Sequence, residues 1–314
     1  MYEGVLSILG FVIFSTLLYS TPLIFAALGS CISESSGIIN IGIEGMMTIG
    51  AFVGCAVAYF TRNPWVAFLA SGVAGMILSF FHAFTSINCK ADQTISGTAM
   101  NMIGSGAAIM CSYAIFGATD SIPISLDEKI PILFQDLFVE DNLISAFCKD
   151  VFKTYATNYI ALILVIVIFF MFYKTKFGMH LRACGEHPKA CETLGINVIR
   201  VRFICVLLSG FLAGLGGGCL TLAVTNQFRP TSVVGQGFIA IAAVIFGKYN
   251  PIGVLFGCLL FGFFNGMKVI FVNYNISSDF LSMIPYIITI LILMLFVKNQ
   301  SVPKASGKPY VRGE

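Results

Sequence analysis

The chain has 314 residues, of which 57% are hydrophobic and only 11% charged, with a formal net charge of +3. Because an average soluble domain carries about 25% charged residues, this composition excludes a soluble globular protein. The apolar runs are long and do not alternate with polar residues, which favours transmembrane helices over a β-barrel. The sequence therefore predicts an all-α polytopic bundle of about nine spans (eight to ten) in one integral-membrane domain, 1–314.

The predicted spans follow from apolar runs, since a helical crossing needs about 20 mostly apolar residues. In chain order they are 5–28, 40–60, 65–84, 95–117, 158–173, 203–224, 232–248, 252–272 and 281–297. The first run is longer than the apolar core of a signal peptide and has no Lys or Arg before it, so we interpret it as a span.

The second span opens with polar residues inside an apolar run. Asn40, Glu44 and Thr48 recur at helical spacing and are predicted to share one face of a helix. A carboxylate in lipid needs a partner or water. Two interpretations stay open: a polar stripe on a translocation path, or a carboxylate that ties helices together or caps a broken helix.

A second polar face is predicted where the fourth span begins. It contains Gln93, Ser96 and Asn101. Ser96 is a candidate N-cap of this helix, and Asn101 lies deeper and needs a hydrogen-bond partner. A structural role and a role on the translocation path are both open for this face.

Two long loops have opposite charge. The segment 118–157 is rich in Asp and Glu, whereas 174–202 and the tail 298–314 are rich in Lys and Arg. Since Lys and Arg are enriched in cytoplasmic loops, 174–202 and the tail are predicted to be cytoplasmic and 118–157 external. Nine spans then place the N-terminus outside, and a tenth crossing would place it inside. The span-rich parts on either side of 118–157 suggest inverted repeats.

The basic loop contains a predicted short helix. Pro188 suits the first turn and Gly195 the position just past the end, so the helix has about two turns. Its polar and glycine neighbours are Arg182, Gly185, Glu186, His187, Lys189 and Glu192. So short a helix is unstable alone, so we expect it to dock on a partner, with a plain surface loop as the alternative.

Glycines four residues apart, as at Gly210 and Gly214, predict close helix packing, and the glycine-rich segment 214–218 predicts a break or a flexible point within its span. Sites of enzyme chemistry are not evident. The sequence has no phosphate-binding GxxxxGK[ST] motif, and its cysteines and histidines lack metal-ligand spacing.

Three blocks resemble the permease subunits of ABC importers for branched-chain amino acids, simple sugars and nucleosides. They are the Asn40–Met46 run, the Gly185–Gly195 loop, and Gly237–Ala242 followed by Asn250-Pro251-x-Gly253. The Asn-x-Gly-x-Glu-Gly block and the 93–101 run are most similar to the nucleoside branch, which works with a basic-membrane-protein-type lipoprotein. The resemblance extends from about residue 19 to 297.

The resemblance implies a multi-pass subunit of the bacterial cytoplasmic membrane. The helix at Pro188 would be a coupling helix that docks on a separate ATPase subunit, so this chain itself would bind no cofactor and no metal. Further partners would be a second, different permease chain, an extracytoplasmic solute-binding lipoprotein and the lipid bilayer, with no nucleic acid. Phe238 joins Asn40, Glu44, Thr48, Gln93, Ser96 and Asn101 as candidate pathway residues.

Several alternatives remain within and outside this resemblance. The solute of an ABC permease could be a simple sugar or a branched-chain amino acid instead of a nucleoside. A secondary transporter would use Glu44 as its proton carrier and would need no ATPase. A membrane scaffold or channel would need neither a proton carrier nor an ATPase.

Overall fold

The structure is a computed structural model that describes residues 2–117, 121–125, 128–134, 151–272, 283–284, 287, 290 and 302–310. Most of the acidic segment 118–157 and most of the predicted last span, 281–297, lie outside the described residues. The described residues are predominantly helical.

Ten α-helices form the described part of the chain. They are α1 (Tyr2–Ser35), α2 (Ile43–Thr61), α3 (Pro64–Ala83), α4 (Gln93–Phe116), α5 (Ala156–Lys174), α6 (Lys176–Glu186), α7 (Pro188–Thr193), α8 (Val198–Cys219), α9 (Gln236–Phe246) and α10 (Pro251–Val272). Helices α3 and α8 continue as π-helical turns, Phe84–Asn88 and Leu220–Thr225, and Pro230–Ser232 forms a 3₁₀ turn.

Four short strands form two antiparallel pairs. Strand β1 (Ile122–Pro123) pairs with β4 (Gln227–Phe228), and β2 (Ile132–Leu133) pairs with β3 (Thr154–Tyr155). In register, Ile122 lies opposite Phe228 and Ile132 opposite Tyr155. These pairs close the end of the bundle at which α4 and α8 finish and α5 starts, which we term the strand end.

Seven described helices are long and apolar enough to cross a membrane, and each corresponds to a predicted span. The predicted span 232–248 is wrong in its length. Its helical part, α9, has 11 residues and is about 16 Å long, roughly half of a 30 Å hydrocarbon layer. The reason is Gly235, whose φ of +84° prevents the helix from extending further towards the N-terminus.

The glycine-rich helix α8 lies at the centre of the bundle and packs against α1, α2 and α3. A Cβ atom at Gly217 would overlap the carbonyl oxygen of Met47, so the backbones of α8 and α2 are in direct contact. The break predicted at 214–218 is therefore wrong. These glycines serve packing within a continuous helix, and the irregular turn begins only at Leu220.

The opposite end of the bundle, which we term the basic end, comprises 35–42, 84–93, 174–202 and 302–310. A small apolar cluster of Ile38, Ala83, Ile87 and Val206 joins the ends of α1 and α3 to the start of α8 there. The Ala305 amide donates to the Gly185 carbonyl at 2.9 Å, which brings the tail to the same end.

Candidate functional site

The segment 36–42 is a non-helical break between α1 and α2, beside the predicted pathway residues. Its backbone groups are bound by side chains. Gln93 Oε1 accepts from the Ile39 amide at 2.8 Å, and His82 Nε2 lies 3.2 Å from the Ile39 carbonyl. Gly37, with φ of +94°, starts the turn. Irregular backbone beside apolar spans is tolerated where the protein satisfies its polar groups, as here.

Asn101 joins α4 to the first turn of α2. Its Oδ1 accepts from the Gly45 amide at 2.8 Å, and its Nδ2 donates to the Ile41 carbonyl at 3.0 Å. The bidentate amide therefore satisfies one free donor and one free acceptor at the start of a helix. This is the partner that a deep asparagine was expected to need.

Asn40 does not share a helical face with Glu44 and Thr48, because α2 begins only at Ile43. The Asn40 side chain is 0% exposed, and its Nδ2 donates to Ser209 Oγ of α8 at 3.0 Å. Thr48 Oγ1 donates to the Glu44 carbonyl at 2.8 Å, one turn before it. The three residues therefore do not form the predicted single polar stripe. Asn40 binds α8, whereas Glu44 and Thr48 lie on α2.

Glu44 binds the start of the half-length helix α9. Its Oε2 accepts from the Gly235 amide at 3.0 Å, and the Phe238 amide donates to the same carboxylate. A Cβ atom at Gly237 would lie 2.6 Å from that of Glu44, so only glycine allows this approach. A carboxylate is stabilised at a helix N-terminus, where free amides and the macrodipole meet. This geometry matches the interpretation of Glu44 as the cap of a broken helix.

Ser96 belongs to a hydrogen-bonded cluster that connects α3 with α4. Its Oγ lies 2.9 Å from His82 Nδ1 and 2.6 Å from Thr85 Oγ1. The prediction that Ser96 caps α4 is wrong, because Asp92 accepts from the amides of Thr94 and Ile95 instead. His82 was missed in the sequence; a lone histidine within an apolar run was the available signal.

The pathway residues therefore gather around the break 36–42 and the start of α9. Asn40, Thr48, Gln93 and Ser96 are buried, and Glu44 and Asn101 are half-buried. Phe238 is 51% exposed and lies close to the exposed Val234. Most of these side chains hold the backbone in place, whereas Phe238 presents an open apolar surface.

The short helix predicted in the basic loop is present as α7, Pro188–Thr193, with Pro188 in its first turn. Gly195 has φ of +79°. The Ile196 amide donates to the Cys191 carbonyl and the Gly195 amide to that of Glu192, which is the hydrogen-bond pattern of a Schellman cap. The prediction of the helix and of both its ends is confirmed.

Most charged side chains around α7 are exposed, whereas Cys184 and Gly185, shortly before this helix, are buried. Arg182, Glu186, His187 and Lys189 are exposed, and Leu194, at the end of α7, is 79% exposed. Gly185 is buried because α6 packs directly on the end of α1, where a Cβ atom would overlap the Ser35 carbonyl. Burial beside Cys191 raises the pKa of the Cys184 thiol to about 12.

Arg202 was not predicted as a functional residue, although it is a cation at the start of an apolar run. It is 1% exposed. Its Nε donates to the Ser36 carbonyl at 3.1 Å, Nη1 to the Lys308 carbonyl at 3.4 Å and Nη2 to the Cys184 carbonyl at 3.4 Å. Two of these carbonyls lie at the ends of α1 and α6, where the helix dipole favours a cation.

The tail segment 302–310 binds to the same place. Besides the bond from Ala305 to Gly185, the Gly307 amide donates to the Gly37 carbonyl at 3.3 Å. The Tyr310 hydroxyl donates to the Glu192 carboxylate, and the Arg202 guanidinium lies 5.8 Å from the Tyr310 ring centre. Arg202 and the tail therefore join the base of α7 to the break 36–42.

Within the described residues, three or more His, Cys, Asp or Glu side chains do not cluster in a way that could hold a metal ion. The described site offers hydrogen-bonding groups, an exposed aromatic surface at Phe238 and a short, largely exposed helix, α7.

The sequence matches a family model described as "Branched-chain amino acid transport system / permease component" over residues 12–293. It is 41% identical to the guanosine ABC transporter permease protein NupQ of Bacillus subtilis, over 99% of both chains. It is 35% identical to the nucleoside ABC transporter permease protein NupC of Lactococcus lactis, over 99% of this chain and 100% of NupC.

A solved structure shares the fold. It is titled "An inward-facing conformation of a putative metal-chelate type ABC transporter", and it superimposes with a TM-score of 0.53 over 92% of this chain and 85% of its own. The identity is 13%, so the likeness concerns the architecture alone.

Proposed function

Because the chain belongs to the family of branched-chain amino acid transport system permease components, and is a transport subunit rather than an enzyme, we propose that it imports nucleosides. The observation that carries the choice of solute is the match to a guanosine and a nucleoside permease along their whole lengths. The chain would bind no cofactor, and ATP would be hydrolysed by a partner subunit.

The surface near α9 supports a solute with a flat base. A nucleoside is neutral and polar, so its site needs an apolar or aromatic wall and a few hydrogen-bonding groups. Phe238 supplies an exposed aromatic ring, the half-buried Glu44 lies against the adjacent Gly237, and Asn101 binds Gly45 beside Glu44. In this proposal, Asn40, Thr48, Gln93 and Ser96 maintain the broken backbone around the route of the solute.

The basic end would face the cytoplasm, because Lys and Arg are enriched on that side. Helix α7 would then be the coupling helix, docked on the ATPase subunit. The strand end would face outwards, towards a solute-binding lipoprotein, and the N-terminus would lie outside. A second, homologous but different permease chain would complete the pathway.

An uptake experiment tests the proposed solute and energy source. Cells that express the whole complex are given radiolabelled guanosine, with unlabelled nucleosides, simple sugars or branched-chain amino acids as competitors. We expect competition by nucleosides only, and loss of uptake when ATP is depleted while the proton gradient persists. Competition by a sugar instead would refute the choice of solute, and uptake without ATP would refute the ABC mechanism.

A second experiment tests the role of α7. Gly195→Val forces a branched side chain into a left-handed backbone and should disturb the end of α7. We expect less ATPase to copurify with this variant than with a Gly106→Ala control, whose position has free space around it. Labelling of an introduced Pro188→Cys thiol from outside intact cells would contradict the proposed orientation.

A further inference from the structure

A cleft of about 640 Å³ opens beside α7 at the basic end. One wall comprises the last residue of α6, Glu186, and the start of α7, including Lys189. The other wall is the tail segment 302–310, represented by Lys304, Lys308 and Tyr310. Two segments that are more than 100 residues apart in the sequence thus form one concave surface.

The lining of this cleft is strongly basic. Lys189, Lys304 and Lys308 are exposed, Arg202 lies at its base, and Glu186 is the one acidic side chain in the described lining. Concave surfaces of one charge attract partners of the opposite charge and raise their rate of association. The chemistry of the cleft therefore suits an acidic partner.

The tail wall is already ordered in the chain alone. Its backbone is bound at Ala305 by Gly185, at Gly307 by Gly37 and at Lys308 by Arg202. A preformed surface loses little conformational entropy when a partner binds. The tail is thus positioned as part of an interface and does not have to fold onto the partner.

A second cleft, of about 310 Å³, lies between the end of α7 and the start of α8. Its lining includes Glu192, Gly195, Arg200 and Tyr310, so Tyr310 borders both clefts. The start of α7 therefore borders the larger cleft and its end borders the smaller one, and the exposed Leu194 lies at that end. Apart from Arg202 at its base, the lining of the 640 Å³ cleft belongs to segments outside the seven apolar spans, which favours a protein over lipid as the occupant.

We propose that the tail segment 302–310 is the second half of the ATPase docking surface, and that the basic cleft between it and α7 receives an acidic element of the ATPase subunit. This inference rests on the proposed function, because it takes α7 as the coupling helix. It adds the exposed lysines of the tail, Lys304 and Lys308, to the charge that α7 itself carries.

Charge reversal tests the cleft directly. The double variant Lys304→Glu/Lys308→Glu changes two exposed side chains of the tail wall, and Lys90→Glu/Lys176→Glu is the matched control, with two exposed lysines at the basic end outside the described lining. The apparent Kd between the purified permease complex and its own ATPase subunit is measured at low and high salt. Thermal unfolding and size-exclusion profiles verify that each variant is folded.

We expect the tail variant to bind the ATPase at least tenfold more weakly at low salt, with a smaller difference at high salt because ions screen exposed charges. The control should remain within about twofold of the wild type. Equal weakening in both variants, or none in either, would overturn the proposal. So would unchanged ATPase binding with reduced binding to anionic lipid vesicles. If the wild type binds no ATPase, the proposed function itself fails.

Discussion

The bond between Glu44 and the start of α9 leads to a prediction that separates a helix cap from a proton carrier. Glu44→Gln keeps an oxygen that accepts from the Gly235 and Phe238 amides, and it loses the interaction of a charge with the helix N-terminus, about 0.3–1 kcal/mol. Glu44→Ala leaves both amides without the side-chain acceptor, at about 1–3 kcal/mol for each buried donor.

The free-energy cost of Glu44→Ala is smaller than this sum because of the surroundings of Glu44. Glu44 is half-buried and Phe238 is exposed, so water replaces part of the lost bonding, and we discount the total to about 1.5–3 kcal/mol. Since about 1.4 kcal/mol corresponds to a factor of ten, Glu44→Ala should lower uptake tenfold or more if transport needs a seated α9. Glu44→Gln should lower it by less than about fivefold.

The assay is initial-rate uptake of radiolabelled guanosine, normalised to the amount of permease in the membrane by immunoblot. Thermal unfolding of both variants in detergent provides the control for folding. A proton carrier must bind and release a proton, which glutamine does not do. Complete loss of uptake in Glu44→Gln, with normal amount and stability of the protein, would refute the cap interpretation and favour a proton-coupled transporter.

Three further predictions concern packing, hydrogen bonding and thiol reactivity. Gly217→Ala should lower the free energy of unfolding by about 1–3 kcal/mol, because the added Cβ atom overlaps the Met47 carbonyl oxygen. Gly106→Ala, at a position with free space around it, should leave the free energy of unfolding unchanged. Equal effects of the two substitutions would contradict the packing argument. Asn101→Ala should destabilise the protein by about 1–3 kcal/mol per bond lost, measured by the same unfolding assay, and an unchanged midpoint would contradict its role. At pH 7 the exposed Cys89 should react with maleimide, whereas Cys184, which burial keeps as a thiol, should not; peptide mass mapping would show any labelling of Cys184 that contradicts this.

The helices were predictable because their signals are local. Long apolar runs gave seven spans that the structure confirms, and Pro188 and Gly195 marked both ends of α7 from their backbone preferences alone. The half-length of α9 was not predicted, since only the left-handed conformation of Gly235, beside its contact with the distant Glu44, shows that the helix begins at Gln236.

The candidate site was harder to predict because its contacts are distant in sequence. Helical spacing relates Asn40, Glu44 and Thr48 in the sequence. In the structure, however, Asn40 precedes α2 and binds α8, whereas Glu44 binds the start of α9. Similarly, the role of Arg202 depends on carbonyls that lie between 18 and 166 residues away. The sequence shows where polar residues interrupt the apolar runs, whereas the tertiary contacts determine which of them are structural.

The position of Arg202 suggests how a movement of α7 reaches the membrane. Its guanidinium contacts the Cys184 carbonyl of α6, just before α7, and the Ser36 carbonyl at the break before α2. A buried cation that loses either acceptor is costly, so the two carbonyls are expected to move together. Since the break also contains Ile39, which binds Gln93 of α4, these bonds connect α6 with the starts of α2 and α4. If α7 is the coupling helix, as proposed, this connection would carry its displacement to the helices around the proposed pathway, as alternating access requires.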